Sequence, residues 1–219
     1  MKIYVVRHGE TDWNNKHLVQ GLIDNPLNEK GREQAKNISE FFKDKNIKKF
    51  YSSPLCRAVE TLEIIKKENK INAPTITLNG FLERDFGSLE GAKVKDFLSL
   101  KDPQSEPGYE QNKDLEKRVM DAFDTVINSG ENSIITAHAH VLKAILVNVD
   151  HTYDYSYMLK NCAILCIENK KGQLILNEIS WPFFYNFIIA STSIFEPIGS
   201  FDTSTSVLAG ISSKLIISL

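Results

Sequence analysis

Lys2-Ile3-Tyr4-Val5-Val6-Arg7-His8-Gly9-Glu10-Thr11 opens the chain with a short apolar run that breaks straight into an Arg-His pair and a glycine. An apolar run this short, bounded by polar residues, reads as a buried strand. It decides the fold class because the pattern returns twice. Residues 49–51 run into Ser52-Ser53-Pro54-Leu55-Cys56-Arg57, and residues 133–136 into Ala137-His138-Ala139-His140. Helical spacing follows each strand: Ala35, Ile38, Phe41 and Phe42, then Leu55, Val59, Leu62 and Ile65, then Val141, Leu142, Ile145 and Leu146. Ser53 is the expected N-cap of the second helix and Pro54 its first residue. Leu115, Val119, Phe123, Val126 and Ile127 predict a further helix. Residues 163–168 and 173–179 predict a hairpin around Asn169-Lys170-Lys171-Gly172. Strands alternating with helices predict an α/β fold, a three-layer α/β/α sandwich on a mostly parallel central sheet.

The 219 residues correspond, at roughly 150 per domain, to one large domain or one domain with an appendage. With 42% hydrophobic and 25% charged residues, a full apolar core is available and neither disorder nor a disulfide-stapled mini-fold is needed. A net charge of -2 gives no basic excess for nucleic acid. Three cysteines, Cys56, Cys162 and Cys166, form no C-x-x-C, so neither a disulfide framework nor a zinc site is expected. The opening run is too short for a signal peptide, and a cytoplasmic protein is the expectation. Residues 1–182 are expected to form the domain. Residues 183–219 carry only three charges, Glu196, Asp202 and Lys214, and form an apolar, Ser-rich extension of unassigned role. The extension is too polar for a membrane span of about 20 apolar residues.

In a lysine-rich chain with only five arginines, each guanidinium is worth a reason, because its planar fork grips phosphate or carboxylate. Ligands of open α/β sheets gather beyond the carboxyl ends of the strands. Three such ends here carry Arg7-His8, Ser53-Pro54-x-x-Arg57 and His138. Gly9 permits close backbone approach, and a helix starting after Ser53 would present unpaired N–H groups to an anion. Together these read as an oxyanion site with two histidines.

The text resembles the histidine phosphatase superfamily, the phosphoglycerate-mutase-like proteins, in its small bacterial phosphatase form. The matching residues run Arg7-His8-Gly9-Glu10-Thr11, Trp13-Asn14, Gln20-Gly21, Asp24-Asn25-Pro26-Leu27-Asn28 with Gly31, and Ser52-Ser53-Pro54-Leu55-x-Arg57-Ala58. They continue through Leu82-Glu83-Arg84-Asp85-Phe86-Gly87-Ser88-Leu89-Glu90-Gly91 and Pro107-Gly108-Tyr109-Glu110 to Arg118 and His138. The resemblance implies His8 as a nucleophile that becomes phosphohistidine, with a backbone acceptor fixing its tautomer. It implies Arg7, Arg57 and His138 around the phosphate and Glu83 as general acid and base. Asn14, Gln20, Gly21 and Ala139 match phosphate- or substrate-binding positions. No metal or cofactor is implied, and the partner is a small phosphorylated metabolite, with homo-oligomerisation left open. Glu10 and Glu110 match supporting positions and Glu90 a loop position, while Trp13 and Phe86 are expected to wall the pocket or pack beneath it. His17, His140 and His151 match no role and are expected to be structural or at the surface.

Two departures stand out. Relatives usually carry glycine directly after the second histidine, often two, where this chain has Ala139 and His140. Lys143 stands where many have arginine. An alanine is costless there unless positive φ is required, while His140 is bulky enough to enter the pocket or add a donor. His138 follows Glu83 by only 55 positions, against a longer basic insertion in the cofactor-dependent mutases. Residues 93–112 are the expected cap. Hydrolysis is therefore expected, with a mutase (an isomerase) or a non-catalytic phospho-ligand binder as the alternatives.

Overall fold

Period-two alternation along the first strand splits the core. Ile3 and Val5 face one set of helices, Tyr4 and Val6 another. The computed structural model describes residues 1–180. The expected boundary at residue 182 and the segment 183–219 lie outside the described residues. Six strands are described: β1 (Lys2–Arg7), β2 (Lys49–Ser52), β3 (Ile76–Thr77), β4 (Ser133–Ala137), β5 (Ile164–Lys170) and β6 (Gln173–Ser180). Their order in one sheet is β3-β2-β4-β1-β5-β6. The β1–β4, β4–β2 and β2–β3 pairs are parallel, and the hairpin adds β5 and β6 antiparallel at one edge.

The helices are α1 (Asp12–Asn15), α2 (Glu29–Ser39), α3 (Cys56–Glu68), α4 (Val94–Leu98), α5 (Asn112–Asn128) and α6 (Ala139–Val149). One face of the sheet packs Ile3, Val5, Ile135 and Leu165 on α5 (Leu115, Val119, Phe123, Val126) and α6 (Val141, Leu142, Ile145, Leu146). The other packs Tyr4, Val6, Phe50 and Ile134 on α2 (Ile38), the adjoining Phe41 and Phe42, and α3 (Leu62, Ile65). The three-layer sandwich on a mostly parallel sheet is thus the observed fold.

Register then positions the site. Arg7 pairs with Ala137, and Ser52 with Thr136, so β1, β4 and β2 end level. One more bond on each side, His8 N–H to Ala137 O (2.9 Å) and Ser53 N–H to Thr136 O (2.9 Å), carries the ladder past the strand ends. His8, Ser53 and His138 therefore leave the sheet side by side. A third apolar cluster, Val19, Phe86 and Tyr109 with Leu89, Val94 and Phe97, joins the 93–112 segment to the loop after Glu83. An isolated bridge pairs Phe86 with Tyr109 there.

One local expectation is corrected. α3 begins at Cys56, not Pro54, and its N-cap is Leu55, which has no side-chain cap bond. The Ser53 hydroxyl oxygen accepts only from the Leu55 N–H (3.3 Å), just before the helix, and its closer partner is the His138 ring at 2.8 Å. The Cys56 N–H donates instead to Asp24 Oδ1 (2.7 Å), so a carboxylate 32 residues upstream caps the helix and occupies the end expected to bind an anion.

Candidate active site

Gly9 lets the β1 exit lie directly on the start of α2: a Cβ there would meet Gly31 O at 2.4 Å. This tight turn brings the Gly9 carbonyl to the preceding side chain. His8 Nδ1 donates to Gly9 O at 2.6 Å, which leaves the lone pair on Nε2. Burial, then Arg57 and Arg7, hold the His8 pKa well below its usual value, so the ring is neutral. The His138 ring stands 5.2 Å away, centroid to centroid, and is neutral for the same reasons.

Arg57 is fully buried. Its Nη1 donates to Ile23 O and its Nη2 to Gly21 O, both at 2.8 Å. Arg7 donates from Nη1 to Leu159 O. Gln20 accepts at Oε1 from Thr11 Oγ1 (2.8 Å) and from Asn25 Nδ2 (3.1 Å). Asn14 accepts at Oδ1 from Asn161 Nδ2 (3.1 Å), and Asn161 also donates to His8 O (3.1 Å). Gly21 has no room for a Cβ, which would fall 2.7 Å from Arg84 O. Glu90 steadies that loop by accepting from Leu22 N–H at 2.7 Å. Ala139, the first residue of α6, is not at positive φ, so it is unstrained where relatives carry glycine.

Glu83 is buried, and Oε1 accepts from the N–H groups of Arg84 (2.9 Å) and His140 (3.2 Å). Burial raises its pKa while Arg57, Arg7 and Arg84 pull it down; burial wins. Behind it, Arg118 forks onto Glu110 (2.6 and 2.8 Å) and donates to Gly80 O, Leu82 O and Glu83 O. Arg84 is sandwiched between the Tyr109 and Tyr155 rings at 4.9 and 5.1 Å.

Among the described residues, six buried side-chain polar atoms lack any hydrogen-bond partner: Arg7 Nε, Gln20 Nε2, Arg57 Nε, Arg84 Nε, His138 Nδ1 and His140 Nδ1. Buried polar groups are normally paired. Four of them, on Arg7, Gln20, Arg57 and His138, belong to residues gathered around His8, which marks the site as built for a polar guest, and the two guanidiniums make that guest an anion.

The comparisons agree with the geometry. The family model of the histidine phosphatase superfamily (branch 1) matches residues 3–182. The chain belongs to this superfamily. An uncharacterized phosphatase, PhoE, from Bacillus subtilis is 34% identical over 149 residues, covering 67% of this chain and 76% of that protein. A metal-independent phosphoserine phosphatase from Arabidopsis thaliana is 34% identical over 195 residues, covering 82% and 80%. The crystal structure of a phosphoglycerate mutase from Bacillus anthracis matches with a TM-score of 0.75 at 21% identity, covering 85% of this chain and 95% of that one, a likeness of fold.

In this histidine phosphatase superfamily member the residues expected at the site from sequence are brought together: His8, Arg7, Arg57, His138, Glu83, Gln20, Gly21, Asn14 and Ala139. Glu10 turns away to Lys30 (2.8 Å) and Asn28. His17 and His151 are exposed. His140, expected to be structural or at the surface, is packed: its side chain is only 11% exposed, edge-on to Phe86 (5.1 Å) and stacked on Tyr155 (6.1 Å), with Nδ1 3.9 Å from Glu83 Oε1. Lys143 lies buried one turn on, donating to Tyr155 O (2.7 Å), its pKa pushed down to about 8 by burial. Asn161 and Tyr155 carried no signal in the sequence, since both are placed by contacts across more than a hundred residues or by the loop before β5. Among the described residues no helix is long and apolar enough to cross a membrane.

Proposed function

We propose that the chain is a metal-independent, cytoplasmic phosphatase that hydrolyses small-molecule phosphate monoesters through phosphohistidine on His8. The observation that carries this reading is the set of unpartnered buried donors on Arg7, Arg57, Gln20 and His138 beside a neutral histidine whose free nitrogen is Nε2.

In the first half-reaction the Nε2 lone pair forms the P–N bond as the P–O bond to the leaving group breaks. Glu83, protonated through its raised pKa, gives its proton to the departing oxygen. Arg7 and Arg57 stabilise the charge on the transferring group, in a site where the donors are already fixed. For His138, a Ser53 hydroxyl donating to Nε2 puts the ring's proton on Nδ1, a further donor to a phosphate oxygen. In the second half-reaction the Glu83 carboxylate takes a proton from water, the oxygen bonds to phosphorus, and the P–N pair returns to His8. Asn14, Gln20 and the backbone of Gly21 and Ala139 hold the phosphate or its ester. The two relatives at 34% identity carry phosphatase names, whereas others at 27–30% carry phosphoglycerate mutase names, so the higher identity supports the phosphatase reading. So does the short spacing that puts His138 only 55 positions after Glu83.

The test is release of inorganic phosphate from a panel of phosphomonoesters including phosphoserine and 3-phosphoglycerate, with and without EDTA, for wild type and His8→Ala. EDTA-insensitive release that disappears in the variant is the expected result. Phosphate exchange between carbons with little free phosphate would make the protein a mutase. Tight phosphate binding with no turnover would make it a binder.

A further inference from the structure

His140 stands where the fold has no structural need of an imidazole. It occupies the second position of α6, and its backbone N–H already serves Glu83. Its ring fills the gap between Phe86 and Tyr155, a task phenylalanine would do as well. What phenylalanine lacks is the ring nitrogen that points at Glu83: Nδ1 is buried, unpartnered, and 3.9 Å from Oε1. A movement of about 1 Å brings that pair within hydrogen-bond range, and catalytic hydrogen bonds often tighten only with substrate bound.

We propose that His140 is a positioning residue for Glu83, donating from Nδ1 to the carboxylate that forms when Glu83 gives up its proton. This rests on the reading of Glu83 as general acid. Oε1 accepts from the Arg84 N–H at 2.9 Å and from the His140 N–H at 3.2 Å, whereas Oε2 is only 3.5 Å from the His140 nitrogen, so Oε1 is the better-served acceptor and the proton is assigned to Oε2. A third donor to Oε1 stabilises the carboxylate more than the neutral acid, because a hydrogen bond to the charged form is the stronger one. That makes Glu83 a stronger acid at the moment of transfer without charging the pocket. The ring is neutral, its pKa held well below the ordinary value by burial, Lys143, Arg84 and Arg7.

Four cationic side chains surround the pair. Arg7 comes from the end of β1, Arg57 from α3, Arg84 from the residue after Glu83, and Lys143 from the next turn of α6. Arg118 of α5 reaches only the Glu83 backbone carbonyl. Tyr155, from the loop before β5, stacks on the ring and spends its hydroxyl on Glu116. Of these, Lys143 also changes charge near neutrality, so its contribution must be held constant. Comparing variants that leave Lys143 in place does so.

The experiment compares wild type, His140→Phe, His140→Asn and Glu83→Gln by kcat/KM against pH, with an alkyl phosphate and with p-nitrophenyl phosphate. The alkaline limb for the alkyl ester reports loss of the Glu83 proton. His140→Phe should move that limb up by about one pH unit and lower the plateau several-fold. The nitrophenyl ester, whose leaving group needs little protonation, should be nearly unaffected. His140→Asn, which keeps an N–H donor, should recover part of the shift. Equal loss on both esters at every pH would mean a packing role and overturn the proposal, while Glu83→Gln still slowing only the alkyl ester would leave the Glu83 assignment standing. If Glu83→Gln fails to discriminate the esters, both readings fall. Should His140→Phe not fold, nitrogen-15 histidine spectra of wild type and Glu83→Gln serve instead. The His140 Nδ1 resonance should follow Glu83 titration in the first and not in the second; a resonance indifferent to Glu83 overturns the proposal.

Discussion

His8 Nδ1 donates to the carbonyl of its own neighbour, Gly9, over 2.6 Å. That one bond fixes which nitrogen is free, and the cations around it fix the charge state. Because burial, Arg57 and Arg7 all lower the His8 pKa, the ring stays deprotonated well below neutrality. An imidazole of ordinary pKa would be about three-quarters protonated at pH 6. Formation of labelled phosphoenzyme should therefore persist at pH 6 at no less than half its rate at pH 7.5. His8→Ala should show no label at any pH. A loss of labelling that tracks a pKa near 6.5 would mean that the cations do not act on this ring as their positions require.

Glu83 differs from the usual carboxylate in that burial outweighs three nearby guanidiniums and raises its pKa. As the group that protonates the leaving oxygen, it matters in proportion to the basicity of that oxygen. Glu83→Gln should slow single-turnover cleavage of an alkyl phosphate by about a hundredfold or more, and that of p-nitrophenyl phosphate far less. Equal slowing of the two esters would assign Glu83 to the pocket's shape instead of its proton chemistry.

How much of this could be read from the residues alone follows from the range of each interaction. The strands ending in Arg7, Ser52 and Ala137 were legible because buried parallel strands are short apolar runs, and the sandwich follows from their alternation with helices. Motif residues at those strand ends were legible for the same reason: the sheet delivers them in register. The start of α3 was not, because local chemistry favours Ser53-Pro54, whereas the helix is capped by Asp24 from another loop. For His140 the residues left two places open, structural or at the surface. Nothing in its flanking text decides between them; that depends on Phe86 and Tyr155, 54 residues before and 15 after it. Sequence patterns report neighbours along the chain and at helical spacing, and these partners are neither.

Arg57 has two jobs that cannot be separated. Its Nη atoms hold the carbonyls of Gly21 and Ile23, while Nε is buried with no partner. Lysine keeps the charge and loses the fork. Arg57→Lys should thus rescue little of the deficit of Arg57→Ala, which is expected to cost on the order of 3 kcal/mol of transition-state stabilisation, more than a hundredfold in kcat/KM. Both variants should also loosen the 20–23 loop, read as faster amide exchange at Leu22 and Ile23. A lysine variant within tenfold of wild type would show that charge alone suffices there.

Three histidines of the site also set how the fold responds to acid. His8, His138 and His140 each have a folded-state pKa well below 6.5, so on unfolding each takes up a proton once the pH is below about 6.5. The unfolded state then binds more protons, and stability falls as pH falls through that window, by up to about 1.4 kcal/mol per pH unit for each ring. Glu83 acts in the opposite sense. Its raised pKa means that the folded state holds a proton the unfolded state has released, a contribution present at low pH and lost as pH rises through the folded value. Three rings against one carboxyl leave a net loss. The urea midpoint should drop steadily between pH 7 and 5.5, and His138→Asn should make that slope shallower by about one proton's worth, whatever it does to stability at pH 7.5. An unchanged slope would mean that His138 takes up its proton in the folded state, which Arg7 and Arg57 at the site oppose.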